Sequence, residues 1–480
     1  MTKFFITSAI PYVNAKPHIG HALEYFQADV IRRYHQIIGD DTLLLSGADE
    51  NALKNVQAAE KEGVPIKEFL ARNSEVFRKA YEDLGVHLDV FQKGSDEKKH
   101  WPGVQKLWKL CQKAGDIYKK SYKGLYCVGC ESFKTEEELT NGLCSIHLKK
   151  PEEVEEENYF FRLSKYQDKL LKIIESDELK ISPENKKNET LSFIKGGLED
   201  FSVSRSKKRA RGVGVPVPGN REQIIYVWFD ALTIYMTGVG FGWDEKKWKK
   251  WWPADLHIIG KDINRFHTVY WPAMLLSAKL ALPREVLVHS FVNVKGEKMS
   301  KTVGNVIDPF ELVKKYGLEP LRYYLLSQIP IGTDGDFSEE RFKEVYNAGL
   351  ANGLGNLIAR VAKLCETSGY SQPTSENKTS SHLIDIEEYS KNLEEFKFND
   401  ALSFVWKKIT SLDKFINDEK PWKLLKTNSQ KLKPVLAHAI DQIQEIAVLL
   451  EPFLPETAEK IEEQFKGPKI VSAKPLFPRI

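Results

Sequence analysis

Lys3-Phe4-Phe5-Ile6-Thr7-Ser8-Ala9-Ile10, followed by Pro11-Tyr12-Val13-Asn14-Ala15-Lys16-Pro17-His18-Ile19-Gly20-His21, is the stretch on which the fold turns. Its first eight residues are rich in β-branched and aromatic side chains and predict a β-strand. After the loop, the spacing predicts a helix from Ala22 to Ile38. Leu23, Phe26, Val30, Tyr34 and Ile37 recur at intervals of three and four and share one face, and Gly39 supplies the stop. Two histidines therefore stand where a strand hands over to a helix N-terminus. In a parallel α/β sheet this is the carboxyl edge, where ligands bind. Backbone N–H groups and the helix dipole favour an anion there, and two imidazoles one helical turn apart can reach the same phosphate.

Outward from this loop the alternation continues. Thr42 to Ser46 (TLLLS) predicts a short buried strand ending in Gly47-Ala48-Asp49-Glu50-Asn51, and helical stretches run to about residue 115. Strands alternating with helices argue for a parallel α/β sheet. No Gly-x-Gly-x-x-Gly follows the first strand, so a dinucleotide cofactor is not expected. The block 116–222 breaks the pattern. It carries Cys127-Val128-Gly129-Cys130 and Cys144-Ser145-Ile146-His147, three thiolates and one imidazole in paired short spacings. These suit one closed tetrahedral zinc, structural because four protein ligands leave no open position. Cys111 and Cys365 fall in helical patterns and read as core residues.

The α/β pattern resumes at 224–231 and 256–262, so the sheet is expected to be interrupted by the zinc-bearing insert. A short linking module is expected between Asp308 and Phe337. From about residue 340 the sequence is helical: Leu402, Val405, Ile409, Leu412 and Ile416 step by three and four, as do Leu436, Ile440, Ile443 and Ala447. These stripes argue for an antiparallel helix bundle, with a polar loop from Tyr370 to Ser381. The expected organisation is 1–115 and 223–296 as two halves of the α/β domain, 116–222 as the insert, 297–345 as a mobile loop with the linking module, and 346–480 as the helical domain.

Composition sets the outer bounds. With 480 residues, roughly two to four domains are expected. No run of eighteen apolar residues exists, and no signal peptide precedes the first loop, so no membrane partner is expected. Five cysteines in a chain this long do not make a disulfide framework, which fits a reducing cytoplasm. The net charge of +3, from 70 basic and 67 acidic residues, does not announce a nucleic-acid binder; any such footprint must be local. Candidates are Ser206 to Arg211 and the lysines around Trp422.

A second motif pairs with the first. Lys298-Met299-Ser300-Lys301-Thr302 lies between Gly296 and Gly304 after a strand-like VLVHSFVNV. Two lysines on a glycine-flanked loop suit a mobile clamp on a polyphosphate. Together, His18-Ile19-Gly20-His21 and this motif resemble the paired signatures of class I aminoacyl-tRNA synthetases, with Thr302 where that class usually has serine. The resemblance is closest to the methionyl-tRNA synthetase family and covers nearly the whole chain. It is carried by AIPY at 9–12, YVWFDA at 226–231, GKDINRFH at 260–267, NLIAR at 356–360 and KPW at 420–422, along with the zinc knuckle.

The resemblance implies a Rossmann-type catalytic domain followed by an all-α anticodon-binding domain. It implies ATP-dependent charging of tRNA with L-methionine through an adenylate, with Mg2+ accompanying ATP. His18, His21, Lys298 and Lys301 would stabilise the phosphates, with Gly20, Gly260, Asp262 and Ser300 also at the nucleotide. Asp49 would bind the methionine ammonium. Ile10, Tyr12, Trp228, Ala231, Leu232, Tyr235, Ile263 and His267 would enclose the side chain, aromatic walls suiting a thioether. Asn356, Arg360, Pro421 and Trp422 would read the CAU anticodon of elongator and initiator tRNA. No appended dimerisation domain follows the bundle, so a monomer is expected. Where the family usually has histidine and glycine, this chain has Asn51 and Ala52. An imidazole is lost there, and alanine disfavours the positive φ that glycine permits.

Rival readings differ at identifiable residues. Leucine, isoleucine and valine enzymes of the class carry a much larger insert. A cysteine enzyme would place a zinc-binding cysteine before Pro11, where Ala9-Ile10 stands. A small-molecule nucleotidyltransferase needs neither zinc insert nor bundle. A non-enzymatic tRNA-binding protein would not need both histidines and both lysines.

Overall fold

The structure, a computed structural model, describes residues 2–128, 132–146, 148–299, 304–371, 386–427 and 429–480. The chain divides into two compact units: Lys3–Pro17 with Thr42–His289, and Met1–Thr2 with His18–Asp41 and Ser290–Ile480.

The unit containing residues 42–289 is built on a six-stranded sheet: β1 (Lys3–Ser8), β2 (Asp41–Ala48), β3 (Val90–Lys93), β4 (Lys180–Ser182), β5 (Leu256–Gly260) and β6 (Glu285–His289). The order across the sheet is β3-β2-β1-β5-β6-β4. β2 and β3, β1 and β5, β5 and β6, and β6 and β4 pair in parallel, with Ile6 opposite Leu256 and Gly260 opposite His289. Parallel strands covered on both faces read as continuous apolar runs, and all five residues of β5 are buried. The strand order reverses between β1 and β5. In an open α/β sheet a ligand crevice forms at such a reversal, beyond the carboxyl ends of the strands. The loop after Ser8 and the turn Lys261–Ile263 leave the sheet there.

Three features depart from the sequence pattern. β3 was hidden because VFQK is four residues long and half polar. Residues 224–231 are not a strand of the parallel sheet: Asn220–Ile225 is antiparallel, and Val227–Thr237 is a helix with all eleven residues buried. A helix apolar on every side shows no period, so its run looks like a buried strand. Finally, the 116–222 stretch is not wholly outside the main sheet, because it lends β4 as an edge strand. The rest of that stretch includes a long antiparallel pair, Ile117–Cys127 against Glu152–Phe161, in register from Ile117 opposite Phe161 to Tyr126 opposite Glu152.

In the other unit, α1 (Ile19–Ile37) begins three residues before the predicted start at Ala22. α2 (Trp101–Lys113) and α3 (Val227–Thr237) belong to the sheet-bearing unit. The helical region comprises α4 (Leu318–Gln328), α5 (Asn356–Ser368), α6 (Phe398–Glu419), α7 (Pro421–Thr427), α8 (Ser429–Leu450) and α9 (Pro455–Phe465), with shorter helices between. The two stripes read from the sequence are the buried faces of α6 and α8. Among the described residues, no helix is long and apolar enough to cross a membrane.

Candidate functional site

His18 is the N-cap of α1, and the two histidines complete a reciprocal capping box. The Gly20 N–H donates to His18 Nδ1 at 3.1 Å, and the His18 N–H donates to His21 Nδ1 at 3.1 Å. Their rings lie 3.9 Å apart, centroid to centroid. Because each Nδ1 accepts a backbone hydrogen, the neutral ring carries its proton on Nε2. The cap thus makes each Nε2–H a donor at a helix terminus that already favours anions. Gly20 gives the His18 ring room: a Cβ there would come 3.0 Å from His18 Cε1, so the ring would have to shift by a few tenths of an ångström. In the same unit, Lys298 ends the short strand Glu297–Lys298 and is exposed, its Nζ 4.8 Å from the Phe291 ring centroid. Ser300 and Lys301 lie outside the described residues.

The sheet-bearing unit holds the other ligand candidates. Asp49 extends β2: its N–H donates to Pro11 O at 3.0 Å, and it bridges in parallel to Tyr12. The Asp49 carbonyl accepts from Asn55 Nδ2 at 2.8 Å. On α3, Trp228, Ala231, Leu232 and Tyr235 recur at helical spacing on one buried face. The Tyr12 ring meets Trp228 edge-on at 6.2 Å. His267, in a π-helical turn, uses both nitrogens: Nδ1 lies 3.0 Å from Ile263 O, and Nε2 lies 2.8 Å from Tyr235 Oη. A carbonyl only accepts, so His267 carries its proton on Nδ1 and receives the Tyr235 hydroxyl hydrogen on Nε2. Burial lowers the His267 pKa to about 4, which keeps the ring neutral. Ile10, Tyr12 and Ile263 pack against the same apolar core as Trp228, Leu232 and Tyr235. Gly260 ends β5, and a Cβ there would come 3.0 Å from Asp262 Oδ1, so the glycine leaves room for that exposed carboxylate at the carboxyl edge.

One feature here was not read from the sequence. Phe266 stacks on Trp228 at 3.8 Å and 7°, doubling the aromatic wall. Its only sequence signal was its place beside His267. Asn51 and Ala52 are accommodated without strain. Ala52 has φ −77°, so no glycine is needed, and Asn51 donates to Gly94 O at 2.9 Å and to Asp230 Oδ2 at 2.6 Å.

Of the four proposed metal ligands, Cys127 and Cys144 are described; Cys130 and His147 lie outside the described residues. Cys127 ends the strand Ile117–Cys127, and Cys144 ends Leu143–Cys144. Both thiols are buried, and neither is in a disulfide. Among the described residues no group of three or more metal-ligating side chains comes together; Cys127 and Cys144 by themselves are soft donors of the kind a zinc ion takes. Cys111 and Cys365 are fully buried, and burial pushes each thiol up to about 12, as suits inert core residues.

In the helical region, Arg360, Lys363, Leu364 and Thr367 of α5 and Trp422 and Leu425 of α7 line a groove of about 410 Å³. Trp422 is 40% exposed while Pro421 is buried. Arg360 is braced by α6: Nη2 lies 2.5 Å from Asp413 Oδ1, and Nη1 lies 2.9 Å from Asn417 Oδ1. Asn356 is exposed at the start of α5, one helical turn from Arg360.

The family model described as tRNA synthetases class I (M) matches residues 4–140 and 134–362, and that described as the anticodon-binding domain of tRNA ligase matches 384–479. The chain is 41% identical over 480 residues to the methionine–tRNA ligase of Brucella melitensis, covering 97% of this chain and 92% of that one. It is 40% identical over 472 residues to the methionine–tRNA ligase of Thermotoga maritima, covering 96% and 74%. Its structure is similar to that of Mycobacterium tuberculosis methionyl-tRNA synthetase in complex with methionyl-adenylate, with a TM-score of 0.92, 37% identity and full coverage of both chains.

Proposed function

The chain belongs to the methionine–tRNA ligases of the class I tRNA synthetases, and we propose that its capped histidines, its aromatic pocket and its helical groove serve the phosphates, the amino acid and the anticodon of that reaction. The chain ligates L-methionine to tRNA at the expense of ATP. The methionine carboxylate attacks the α-phosphorus and pyrophosphate leaves. The terminal ribose of tRNA then attacks the adenylate carbonyl, and AMP leaves.

Adenylation needs charge neutralised more than protons moved. The observation that carries the assignment is the reciprocal histidine cap: it fixes both tautomers so that His18 and His21 offer Nε2–H to phosphate oxygens. Mg2+ arrives with ATP and neutralises further phosphate charge. Lys298, Ser300 and Lys301 complete the phosphate contacts, while Gly20, Gly260 and Asp262 hold the nucleotide. Asp49 takes the ammonium. Ile10, Tyr12, Trp228, Ala231, Leu232, Tyr235, Ile263 and His267 enclose the side chain. A neutral His267 keeps that pocket uncharged, as an apolar thioether requires. One structural zinc is held by Cys127, Cys130, Cys144 and His147. Asn356, Arg360, Pro421 and Trp422 read the anticodon of elongator and initiator tRNA. A cytoplasmic setting suits a chain whose five cysteines make no disulfide framework.

Pyrophosphate–ATP exchange with the purified chain tests this reading. Exchange is expected with methionine and not with leucine, isoleucine, valine or cysteine. Exchange that depends on one of the others, or none with methionine, would overturn it.

A further inference from the structure

We propose that Asp230 is a positioning residue that sets the length of the methionine pocket, acting through Asn51 and His100; the proposal rests on the reading of that pocket given above. Asp230 is 1% exposed and lies in the first turn of α3, between Trp228 and Ala231. Its carboxylate has two donors on two other segments. Asn51 Nδ2 lies 2.6 Å from Oδ2, and His100 Nε2 lies 2.5 Å from Oδ1. Asn51 gives its other amide hydrogen to Gly94 O, just beyond β3. His100 is the N-cap residue of α2, and its Nδ1 lies 2.8 Å from Thr237 Oγ1, at the last residue of α3.

One buried carboxylate therefore joins four pieces: both ends of α3, the loop after β2, the turn after β3, and the start of α2. Asn51 stands two residues from Asp49, which takes the ammonium. Trp228 and Tyr235, on the helix that Asp230 belongs to, are walls of the side-chain pocket in that reading. The separation between Asp49 and those walls sets the length of amino acid the pocket accepts. Apolar contacts slide, whereas a carboxylate fixed by two directional donors does not. Both Asn51 hydrogens meet acceptors, so the amide has a single orientation. This gives Asn51 a task in this chain that needs no imidazole.

The test compares Asn51→Ala and Asp230→Asn with the unmodified chain in pyrophosphate–ATP exchange, using methionine and its one-methylene homologue ethionine. A single methylene is typically worth about 10–200-fold in discrimination. Each variant is expected to raise the KM for methionine by about tenfold, leave the KM for ATP within about twofold, and lower the preference for methionine over ethionine at least about fivefold. Asn51→His, which keeps one N–H for Asp230, should fall between Asn51→Ala and the parent. Methionine KM and preference unchanged in both variants would overturn the proposal. So would equal losses for methionine and ATP in step with a lowered Tm, since these mark general destabilisation. Absence of methionine-dependent exchange in the unmodified chain would instead remove the reading of the pocket itself, and the proposal with it.

Discussion

Asp29 Oδ2 and Arg322 Nη2 lie 2.8 Å apart, with both side chains sealed from solvent. Asp29 is on α1, the helix that His18 caps, and also receives Arg33 Nε at 2.8 Å. Arg322, on α4, covers the Phe26 ring at 4.9 Å and donates from Nε to Phe453 O at 2.9 Å and from Nη2 to Pro452 O at 3.3 Å. Those carbonyls form the corner between α8 and α9. One turn earlier on α4, Glu319 accepts the N–H groups of Glu456 and Thr457 at 2.7 and 2.9 Å, capping α9. A single guanidinium thus fastens the helix bearing both signature histidines to the helical bundle.

Arg322→Ala should destabilise this unit by about 3 kcal/mol, because it removes one of the two cations on a buried carboxylate, leaving Arg33, and frees two carbonyls. Pairing Asp29→Leu with Arg322→Leu should recover part of the loss, since a buried ion pair replaced by apolar side chains is often near neutral. Urea denaturation of the two single variants and the double variant measures the coupling. Midpoints unchanged in Arg322→Ala would show that the pair does not hold the helix.

Arg322 marks where legibility in the sequence ended. Local periodicity located α6 and α8 because each buries one side of a regular helix, while β1 was legible from its β-branched and aromatic residues and α1 from its apolar stripe, although Ala22 to Arg32 are buried all round. It failed at α3, which is buried on all sides, and at β3, which is too short to show alternation. Signature residues such as His18 were legible because their chemistry is local to one turn. Asp29 and Asp230 were not, because their meaning lies in partners 293 and 179 positions away. Phe266 was passed over because an aromatic beside a polar site looks like core.

The capping box allows the structural and catalytic duties of His18 to be separated. His18→Ala should lose the cap, at about 1 kcal/mol, and slow exchange about a hundredfold. His18→Asn restores a good cap acceptor but no Nε2–H, so stability should return while exchange does not. His21→Ala should likewise slow exchange about a hundredfold. Normal exchange in His18→Asn would remove the phosphate role.

Acid should weaken the fold through His267. In the unfolded chain its pKa is near 6.5, and burial in the folded chain lowers it to about 4. The unfolded state therefore binds more protons between those values. The neutral ring's contribution is complete above about pH 6.5 and is lost as pH falls toward about 4, on the order of 3 kcal/mol in total. His257, also pushed well below its usual value by burial, acts in the same direction. In chemical denaturation from pH 7 to pH 4, His267→Gln should lose less stability than the parent. Parallel pH profiles would count against a buried neutral His267.

Metal analysis of freshly purified protein should find one zinc per chain, and Cys127→Ser should lose it. Structural zinc contributes folding free energy to the segment that binds it. The variant should therefore become sensitive to proteolysis within 116–222 and charge tRNA poorly, while ATP binding by equilibrium dialysis stays near the parent value. Zinc retained in full by Cys127→Ser would exclude that cysteine from the site.

Trp422 should separate the two steps of the reaction. With 40% of its surface exposed beside Arg360, it is not a core residue, and its indole offers a face for an unstacked base. Base–aromatic stacking is worth roughly 1–3 kcal/mol, so Trp422→Ala should lower aminoacylation by about tenfold or more. Methionine-dependent exchange and Tm should hardly move, because neither needs the anticodon. Arg360 should behave in the same way, and Asp413 bears on it directly. By holding Nη2 at 2.5 Å, Asp413 fixes which edge of the guanidinium faces the groove. Asp413→Ala should therefore weaken charging less than Arg360→Ala, and the double variant should be no worse than Arg360→Ala alone, as expected when one residue acts through another. Aminoacylation, exchange and Tm measured on one preparation separate the cases: equal losses in both activities would refute the anticodon role, and additive losses in the double variant would show that Asp413 acts independently of Arg360.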